Sequence, residues 1–203
     1  MVKSQKRPTI SWILALVVGA FIATPAAAQT IYVDANAQPG GDGLTWTTAY
    51  NYLQDALADA QTGDEIWVAE GTYYPTSDYG LGIGDRGKHF RMINGVAIYG
   101  GFPPGGDTFE SRDPNQYETI LSGDIGTVSD NSDNCYHVFY HPDGLDLGPN
   151  AILDGFTITG GQHGICNDNT SAPSIMRCTV TSNQSSGIYS AGSSSSKRSN
   201  SYL

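Results

Sequence analysis

Two neighbouring stretches of the chain, LDGFTITGGQHGI at residues 153–165 and IMRCTVTSNQSSGI at residues 175–188, carry the same pattern of side chains. A shift of 22, which brings position 153 onto position 175, superposes their apolar positions and several identical polar ones. The aligned pairs are Leu153 with Ile175, Phe156 with Cys178, Ile158 with Val180, Thr157 with Thr179, Thr159 with Thr181 and Gln162 with Gln184. Ile165 then matches Ile188 at a shift of 23, a slip of one residue that a surface loop tolerates. The chain therefore contains a short repeat, with a period of 22 to 23 along the sequence.

Each copy of the repeat predicts short β-strands. Apolar residues alternate with threonine in FTIT and CTVT, which is the period of a strand, and frequent glycines leave no room for a helix. So short a unit cannot bury its apolar stripe alone and must stack on its neighbours. Successive units would run parallel, with Phe156 next to Cys178 in one interior ladder. We expect an all-β fold, a parallel β-helix solenoid; the alternative is an antiparallel β-sandwich in which two strands happen to be similar.

The sequence upstream of the repeat supports the same interpretation. Four more apolar segments predict strands: EIWVA at 65–69, GVAIYGG at 95–101, ETILSG at 118–123 and CYHVFY at 135–140. Before them, TTAYNYLQDALADA predicts an amphipathic helix with a cap at Thr47 or Thr48 and a stop at Gly63. Such a helix would protect the open strand edges of the first turn. We assign residues 29–63 as an N-terminal cap containing one amphipathic helix, and residues 64–189 as β-helix coils.

Residues 1–28 have the features of a secretory signal peptide. Lys3, Lys6 and Arg7 precede an apolar run that is too short to span a bilayer, and three alanines then supply a cleavage site. We expect cleavage before Gln29. The mature protein would be secreted, extracellular or at the cell surface, with no membrane span.

The mature chain is strongly acidic. The signal segment holds three of the 10 basic residues and none of the 20 acidic ones, so residues 29–203 carry a formal charge of −13. Nucleic acids and anionic membranes are therefore unsuitable partners. Residues 29–203 are also long enough for one domain with its own core.

The last residues break the repeat. One more shift of 22 predicts inward-facing residues at positions 197, 200 and 202, where lysine, asparagine and tyrosine stand. An unpaired lysine is costly to bury. We expect residues 190–203 to be a polar tail, either disordered or the out-of-pattern end of a truncated reading frame, and we favour truncation.

Two segments contain candidate metal ligands. Cys135, His137 and His141 fall on one face of a predicted strand, as three ligands of a zinc site would. The segment GDIGTVSDNSDN at 123–134 gathers oxygen ligands suited to calcium, although its spacing matches neither an EF-hand nor a glycine-rich calcium repeat. These ligands are Asp124, Asp130, Asn131, Asp133 and Asn134. We prefer a strand lining a coil for the first segment and a solvated loop for the second, and assign no metal residue.

The three cysteines, Cys135, Cys166 and Cys178, are an odd number and impose no disulfide framework. Cys166 with Cys178 is the pair best placed in sequence to form one disulfide in an oxidising compartment. The sequence does not test whether their Cβ atoms come within reach.

Several phrases agree in order with a known group of proteins: IYVDANAQPGGDGLTWTTAYNYLQDALADAQTGDEIWVAEGTYYPT, NGVAIYGGF, RDPNQYETILSGDI and LDGFTITGG. Together they resemble the N-terminal region of secreted bacterial right-handed β-helix proteins of the pectin-lyase-like superfamily, over about residues 31–189. A weaker similarity to polymorphic outer-membrane protein repeats rests on SGIY at 186–189 and VTSN at 180–183. The resemblance implies a right-handed β-helix. That superfamily contains polysaccharide lyases and hydrolases but also surface proteins, so fold alone does not decide function.

No catalytic motif accompanies this resemblance. A calcium-dependent lyase needs a basic residue to take the substrate proton, and only Arg177 lies in a clear coil, where a solvent-facing bulge residue is the ordinary interpretation. GIGDRGKH at 82–89 nearly matches a phosphate-binding loop, but no strand leads into it, so we expect a loop between coils. A G-x-S-x-G motif is absent from the sequence. We assign no catalytic or cofactor-binding residue.

We therefore expect a secreted or cell-surface β-helix scaffold, adhesin-like or glycan-binding, that is the N-terminal fragment of a longer protein. Its partner would be a polysaccharide or surface glycan, and we expect no cofactor, with calcium as the alternative. The alternative is a polysaccharide lyase or glycoside hydrolase of the same superfamily whose active coils are missing or unrecognised.

Overall fold

The computed structural model describes residues 27–168 and 171–191. They are mostly β, with a single α-helix, α1, at Leu53–Asp59 and 3₁₀ turns at Trp46–Thr48, Asp85–Gly87 and Phe109–Ser111. The strands are β1 Thr30–Val33, β2 Glu65–Ala69, β3 Gly71–Tyr73, β4 Ala97–Phe102, β5 Thr119–Ser122, β6 His137–His141, β7 Ile152–Asp154, β8 Thr157–Thr159, β9 His163–Asp168, β10 Ser174–Met176, β11 Thr179–Val180 and β12 Ser186–Ala191.

The described strands form three sheets in which every pairing is parallel. Sheet A has the order β1-β2-β4-β7-β10, sheet B has β11-β8-β5-β3, and sheet C has β12-β9-β6. From β4 onward the chain therefore visits sheets A, B and C in the same order three times. This arrangement is compatible with the expected all-β parallel fold. It differs from an antiparallel sandwich, in which neighbouring strands would run in opposite directions.

The pairing register reproduces the repeat read from the sequence. Strands β7 and β10, and likewise β8 and β11, pair at a shift of 22. Strands β9 and β12 pair at a shift of 23 along their whole length, from His163 with Ser186 onward. The predicted alignment is therefore confirmed, including its slip of one residue. The pairs concerned are Leu153 with Ile175, Ile158 with Val180 and Ile165 with Ile188.

The core is built from ladders of apolar side chains that the parallel register places next to one another. Sheet A contributes the longest ladder, sheet B contributes Leu121 and Ile158, and sheet C contributes Phe139 and Ile165. These residues belong to one buried apolar cluster, and burying each such side chain stabilises the fold by roughly 1.5–3 kcal/mol. The sheet A ladder is Ile31, Ile66, Ile98, Leu153 and Ile175.

Helix α1 begins later than predicted. The expected cap at Thr47 or Thr48 is wrong, because both residues belong to the 3₁₀ turn Trp46–Thr48 and the chain after them pairs with β1 at Tyr50. The Tyr50 N–H donates to the Tyr32 carbonyl at 2.9 Å, and the Tyr50 carbonyl accepts from the Asp34 N–H at 2.9 Å. Backbone used in this way is extended and cannot start a helix. The buried face of α1 then comprises Leu53, Gln54, Ala56 and Leu57.

The end of α1 also differs from the prediction, which placed the stop at Gly63. The helix ends at Asp59, ahead of that glycine. The Asp64 carboxylate accepts hydrogen bonds from the backbone N–H groups of Gln61 and Gln29 at 2.8 and 2.9 Å. These bonds hold the turn in which Gly63 has a φ of +101°, a conformation that favours glycine.

Several sequence predictions fall on residues that the structure does not describe. The predicted signal peptide lies outside the described residues except for its last two positions, and so does most of the predicted polar tail. Residues 190 and 191, assigned to that tail, belong to β12. In the described part of the chain no helix is long and apolar enough to cross a membrane.

Candidate functional site

The proposed zinc ligands of strand β6 do not come together. Cys135 and His141 are fully buried, whereas His137 lies at the surface of sheet C. The alternation of the strand is broken because Val138 and Phe139 are both buried. His141 is held inside by Asn167, whose side-chain oxygen accepts from Nδ1 at 2.7 Å. Within residues 27–168 and 171–191 there is no group of three His, Cys, Asp or Glu side chains that could hold a metal ion.

The acidic segment 123–134 forms a loop whose carboxylates bind its own backbone. Asp124 accepts from the Ser129 N–H at 3.0 Å, and Asp133 accepts from the Thr127 N–H at 2.7 Å. Asp130 accepts from both the N–H and the hydroxyl of Ser132. The carboxylates thus fix the shape of the loop, as expected of a solvated loop.

Arg177 faces solvent as predicted, but it also makes an ion pair that the sequence did not indicate. Its Nε and Nη2 atoms donate to the two carboxylate oxygens of Asp154 at 2.8 and 2.6 Å. Arg112 donates to the same carboxylate at 3.1 Å from a side chain that is only 3% exposed. Burial raises the pKa of Asp154, but the hydrogen bonds from Arg177 and Arg112 outweigh burial and lower it. The bond to Asp154 raises the pKa of Arg177, which makes this residue less suited to accept a proton.

The three described thiols are all free. Cys166 pairs in register with Tyr189 and not with Cys178, so the suggested disulfide is not formed. Burial raises the pKa of Cys135 and Cys166 to about 12 and that of Cys178 to about 11. They therefore remain protonated at neutral pH and are poor nucleophiles.

A groove of about 300 Å³ lies against the outer face of sheet C, and we call it the sheet C groove. One wall is the loop between β3 and β4, which contains the glycine-rich segment 82–89 and exposes Leu81 and Ile83 at 45% and 54%. The other wall is formed by side chains at and beside β6. The groove is lined by Leu81, Ile83, Gly87, His89, Tyr136, His137 and Tyr140. It therefore combines an apolar wall with an aromatic one.

The aromatic wall continues along the sheet as an unbroken row of ring contacts, which we call the ring row. Its members in order are Tyr79, His89, Tyr140, His137, His163 and Tyr189. Successive ring centroids are 4.9 to 5.6 Å apart, within the range of favourable aromatic pairs. The parallel register accounts for the contact of His137 with His163, which it pairs, and it also places Tyr189 next to Cys166, the partner of Tyr140.

The histidines of the groove are neutral at pH 7. Burial lowers the pKa of His137 to about 4, and the neighbouring His163 and His89 lower it further. Burial also lowers the pKa of His89. Because Nε2 of His89 lies 3.1 Å from the guanidinium of Arg91, that nitrogen is the acceptor and Nδ1 donates to the Gly87 carbonyl at 2.8 Å. The groove therefore presents uncharged rings.

Polar groups border the rings. The Tyr140 hydroxyl donates to the Asp168 carboxylate at 2.8 Å. The Arg86 guanidinium lies 4.4 Å from the ring centre of Tyr136, and that of Arg91 lies 4.1 Å from the ring centre of Tyr79. Such cation–π contacts orient the aromatic walls and leave hydrogen-bonding groups at the rim.

The sequence pointed to part of this site but not to its composition. The segment CYHVFYH contains candidate metal ligands, whereas its contribution to the site is His137 and Tyr140 in the ring row. His163 and Tyr189 were missed, because an aromatic row across parallel strands depends on register and not on adjacency in sequence. The repeat alignment was the available signal, since it places Tyr189 opposite Cys166, the partner of Tyr140.

Comparisons of the whole sequence with protein-family models, with curated proteins and with solved structures found no match. The function is therefore argued from the geometry of the sheet C groove.

Proposed function

We propose that this chain is a secreted or cell-surface scaffold, a right-handed parallel β-helix of the pectin-lyase-like kind, that binds a glycan in the sheet C groove. The short sequence repeat and the threefold passage through sheets A, B and C support the solenoid. The basic start, apolar run and alanine-rich end of segment 1–28 support export.

The observation that carries the binding proposal is the ring row beside the apolar wall of Leu81 and Ile83. Sugar rings have apolar C–H faces and polar hydroxyl edges, so they fit a groove with aromatic walls and a few polar groups at the rim. The Asp168 carboxylate, held by Tyr140, and the guanidinium groups of Arg86 and Arg91 supply such polar groups. A row of rings that crosses three parallel strands also suits a polymer, because it offers an extended aromatic surface and not a single pocket.

Catalysis is the weaker proposal for this site. Two-carboxylate hydrolysis needs a pair of acids on either side of the sugar bond, and a lyase needs a free base. The three thiols are protonated, and Arg177 is bound to Asp154. We therefore propose binding without turnover.

The binding proposal is tested with a panel of soluble polysaccharides in affinity electrophoresis and calorimetry. We expect one or more to bind, and the double variant Leu81→Ser, Ile83→Ser to weaken that binding about tenfold or more, since apolar contacts of both side chains are lost. Leu44→Ser is the matched control, because Leu44 is 57% exposed and lies outside the groove. An equal loss in the control, or no binding to any polysaccharide, would contradict the proposal.

Eliminative cleavage of polygalacturonate, followed as new ultraviolet absorbance with and without Ca²⁺, separates the scaffold from the enzyme. We expect no turnover. Calcium-dependent turnover by this chain would replace the scaffold with a lyase.

A further inference from the structure

A second groove, of about 360 Å³, lies beside strand β3 and shares no lining residue with the sheet C groove. We call it the first-turn groove. It runs between the segment that follows β1 and the segment that follows β3. The residues that matter most for its chemistry are Pro39, Asn51, Tyr52, Thr72, Tyr74 and Thr76.

The groove lies where sheet B lacks a strand. Sheet A extends beyond β2 to β1, whereas β3, which directly follows β2 in the chain, is the last described strand of sheet B. The position next to β3, level with β1, is therefore not filled by a strand of the described chain. One edge of β3 faces this position.

The backbone of Thr72 offers hydrogen bonds at that edge. Strand β3 pairs with β5 on its other side, and the Gly71 N–H donates there to the Glu118 carbonyl. Because backbone groups of a strand alternate between its edges, Gly71 and Tyr73 face β5, and Thr72 turns its N–H and carbonyl to the open edge. Thr72 is exposed and lines the groove. An unpaired strand edge is a template for one more strand.

The sides of the groove are aromatic, and its floor is already ordered. Tyr52 and Tyr74 are 57% and 46% exposed, which is high for side chains of this size. Beneath them the Tyr73 hydroxyl donates to the Ala69 carbonyl at 3.0 Å and accepts from the Ala35 N–H at 3.2 Å. The floor is thus fixed before any ligand arrives, which lowers the entropic cost of binding.

Charge indicates the kind of peptide. The described residues carry 20 acidic and five basic side chains, and none of the basic ones lines the groove. The five are Arg86, Lys88, Arg91, Arg112 and Arg177. A ligand with basic ends suits such surroundings.

We infer that the first-turn groove binds an extended peptide with basic flanking residues, which adds a strand to sheet B at the edge of β3. Main-chain bonds to Thr72 provide the pairing, and Tyr52 and Tyr74 hold the side chains on either side. A peptide fits better than a glycan here, because the donor and acceptor of Thr72 are spaced for a backbone. This site is separate from the sheet C groove.

The probe is the capped peptide acetyl-Lys-Thr-Val-Thr-Val-Thr-Lys-amide, which copies the threonine and aliphatic alternation of sheet B. Its matched partner carries N-methyl groups on both valines, which removes the donors but keeps the side chains. Titration into the whole protein, followed by calorimetry, should show binding of the first peptide and at least about fivefold weaker binding of the second, as the loss of a hydrogen bond predicts. Equal binding of the two peptides would overturn strand addition.

Variants of the protein give a second readout. Thr72→Pro removes the backbone donor at an edge where proline is tolerated, and Tyr74→Ala removes one side of the groove. Each variant should bind the unmodified peptide at least about fivefold more weakly than the original protein does. Leu44→Ala is the matched control, since Leu44 is 57% exposed, as Tyr52 is, and lines neither groove. The inference would be overturned if no peptide bound at millimolar concentration, or if a polysaccharide displaced the bound peptide. Neither result would affect the glycan test, which uses variants at Leu81 and Ile83.

Discussion

His137 and His163 occupy paired positions on β6 and β9, and their imidazole rings stack with centroids 5.3 Å apart and planes 20° from parallel. The Nδ1 atom of each is buried without a hydrogen-bond partner among the described residues. Burial, and then the neighbouring His163 and His89, lower the pKa of His137 in this stack. The ring row therefore contains a neutral His137, and the core behind it contains a neutral His141.

Acid should destabilise the protein over a defined range. Burial lowers the pKa of His141 to about 4 in the folded chain, against an ordinary value of 6.5. The unfolded chain then takes up the proton first, so the contribution of neutral His141 is complete above pH 6.5 and is lost as the pH falls toward 4. We expect a loss of about 3 kcal/mol in the free energy of unfolding from this residue, measured by urea unfolding at pH 7.5, 5.5 and 4.

The matched variant is His141→Gln, which removes the titrating group. It should be less stable at pH 7.5 but lose less stability on acidification than the unmodified chain. If both proteins lost the same free energy between pH 6.5 and pH 4, neutral His141 would not be the cause.

More of the fold than of the site could be predicted, because the strand pairing follows from a repeat within the sequence, whereas the site depends on contacts between distant residues. The pairing of Ile158 with Val180 follows from a repeat that is visible in the sequence, since stacked parallel strands place like residues next to one another. The start of α1 could not be predicted, because Tyr50 is held in extended form by Tyr32, a partner distant in sequence. A helix prediction from neighbouring residues does not include hydrogen bonds to a distant strand.

The candidate zinc ligands do not share a face for a related reason. Their placement on one face assumes regular alternation along β6, but Val138 and Phe139 are both buried, and Phe90 bridges to Phe139 from the preceding loop. The irregular strand turns His137 outward and His141 inward. Only the packing of that loop against β6 determines which side chains share a face.

Loss of the Asp154 carboxylate should be far more harmful than loss of its exposed partner. Asp154→Asn leaves the Arg112 side chain, 3% exposed, without its counterion, and we expect a cost of about 3–5 kcal/mol in the free energy of unfolding. Arg177→Ala removes a side chain that is 62% exposed, and it should cost less than about 1 kcal/mol. Urea unfolding of both variants measures the difference. Similar costs for the two would show that Arg177, and not Arg112, carries the ion pair.

The loop at residues 103–108 packs on the aromatic side chains of sheet A, and two adjacent glycines in it offer a controlled comparison. Gly105 and Gly106 have nearly the same backbone conformation, with φ of +76° and +74°. A Cβ at Gly105 would meet nothing within 4 Å, whereas a Cβ at Gly106 would overlap the ring of Trp46. Gly105→Ala therefore carries only the backbone penalty, about 1–2 kcal/mol.

Gly106→Ala should cost about 1–3 kcal/mol more than Gly105→Ala, because the indole of Trp46 must move from its contacts with Tyr32 and Phe102. The same displacement would break the bond from the Trp46 indole N–H to the Asp107 carbonyl, 2.9 Å long. Urea unfolding gives the two free energies, and tryptophan fluorescence of the folded variants reports the indole environment. Equal stability of both variants, with unchanged fluorescence, would show that the loop moves away from Trp46 at little cost and does not fix the aromatic cluster.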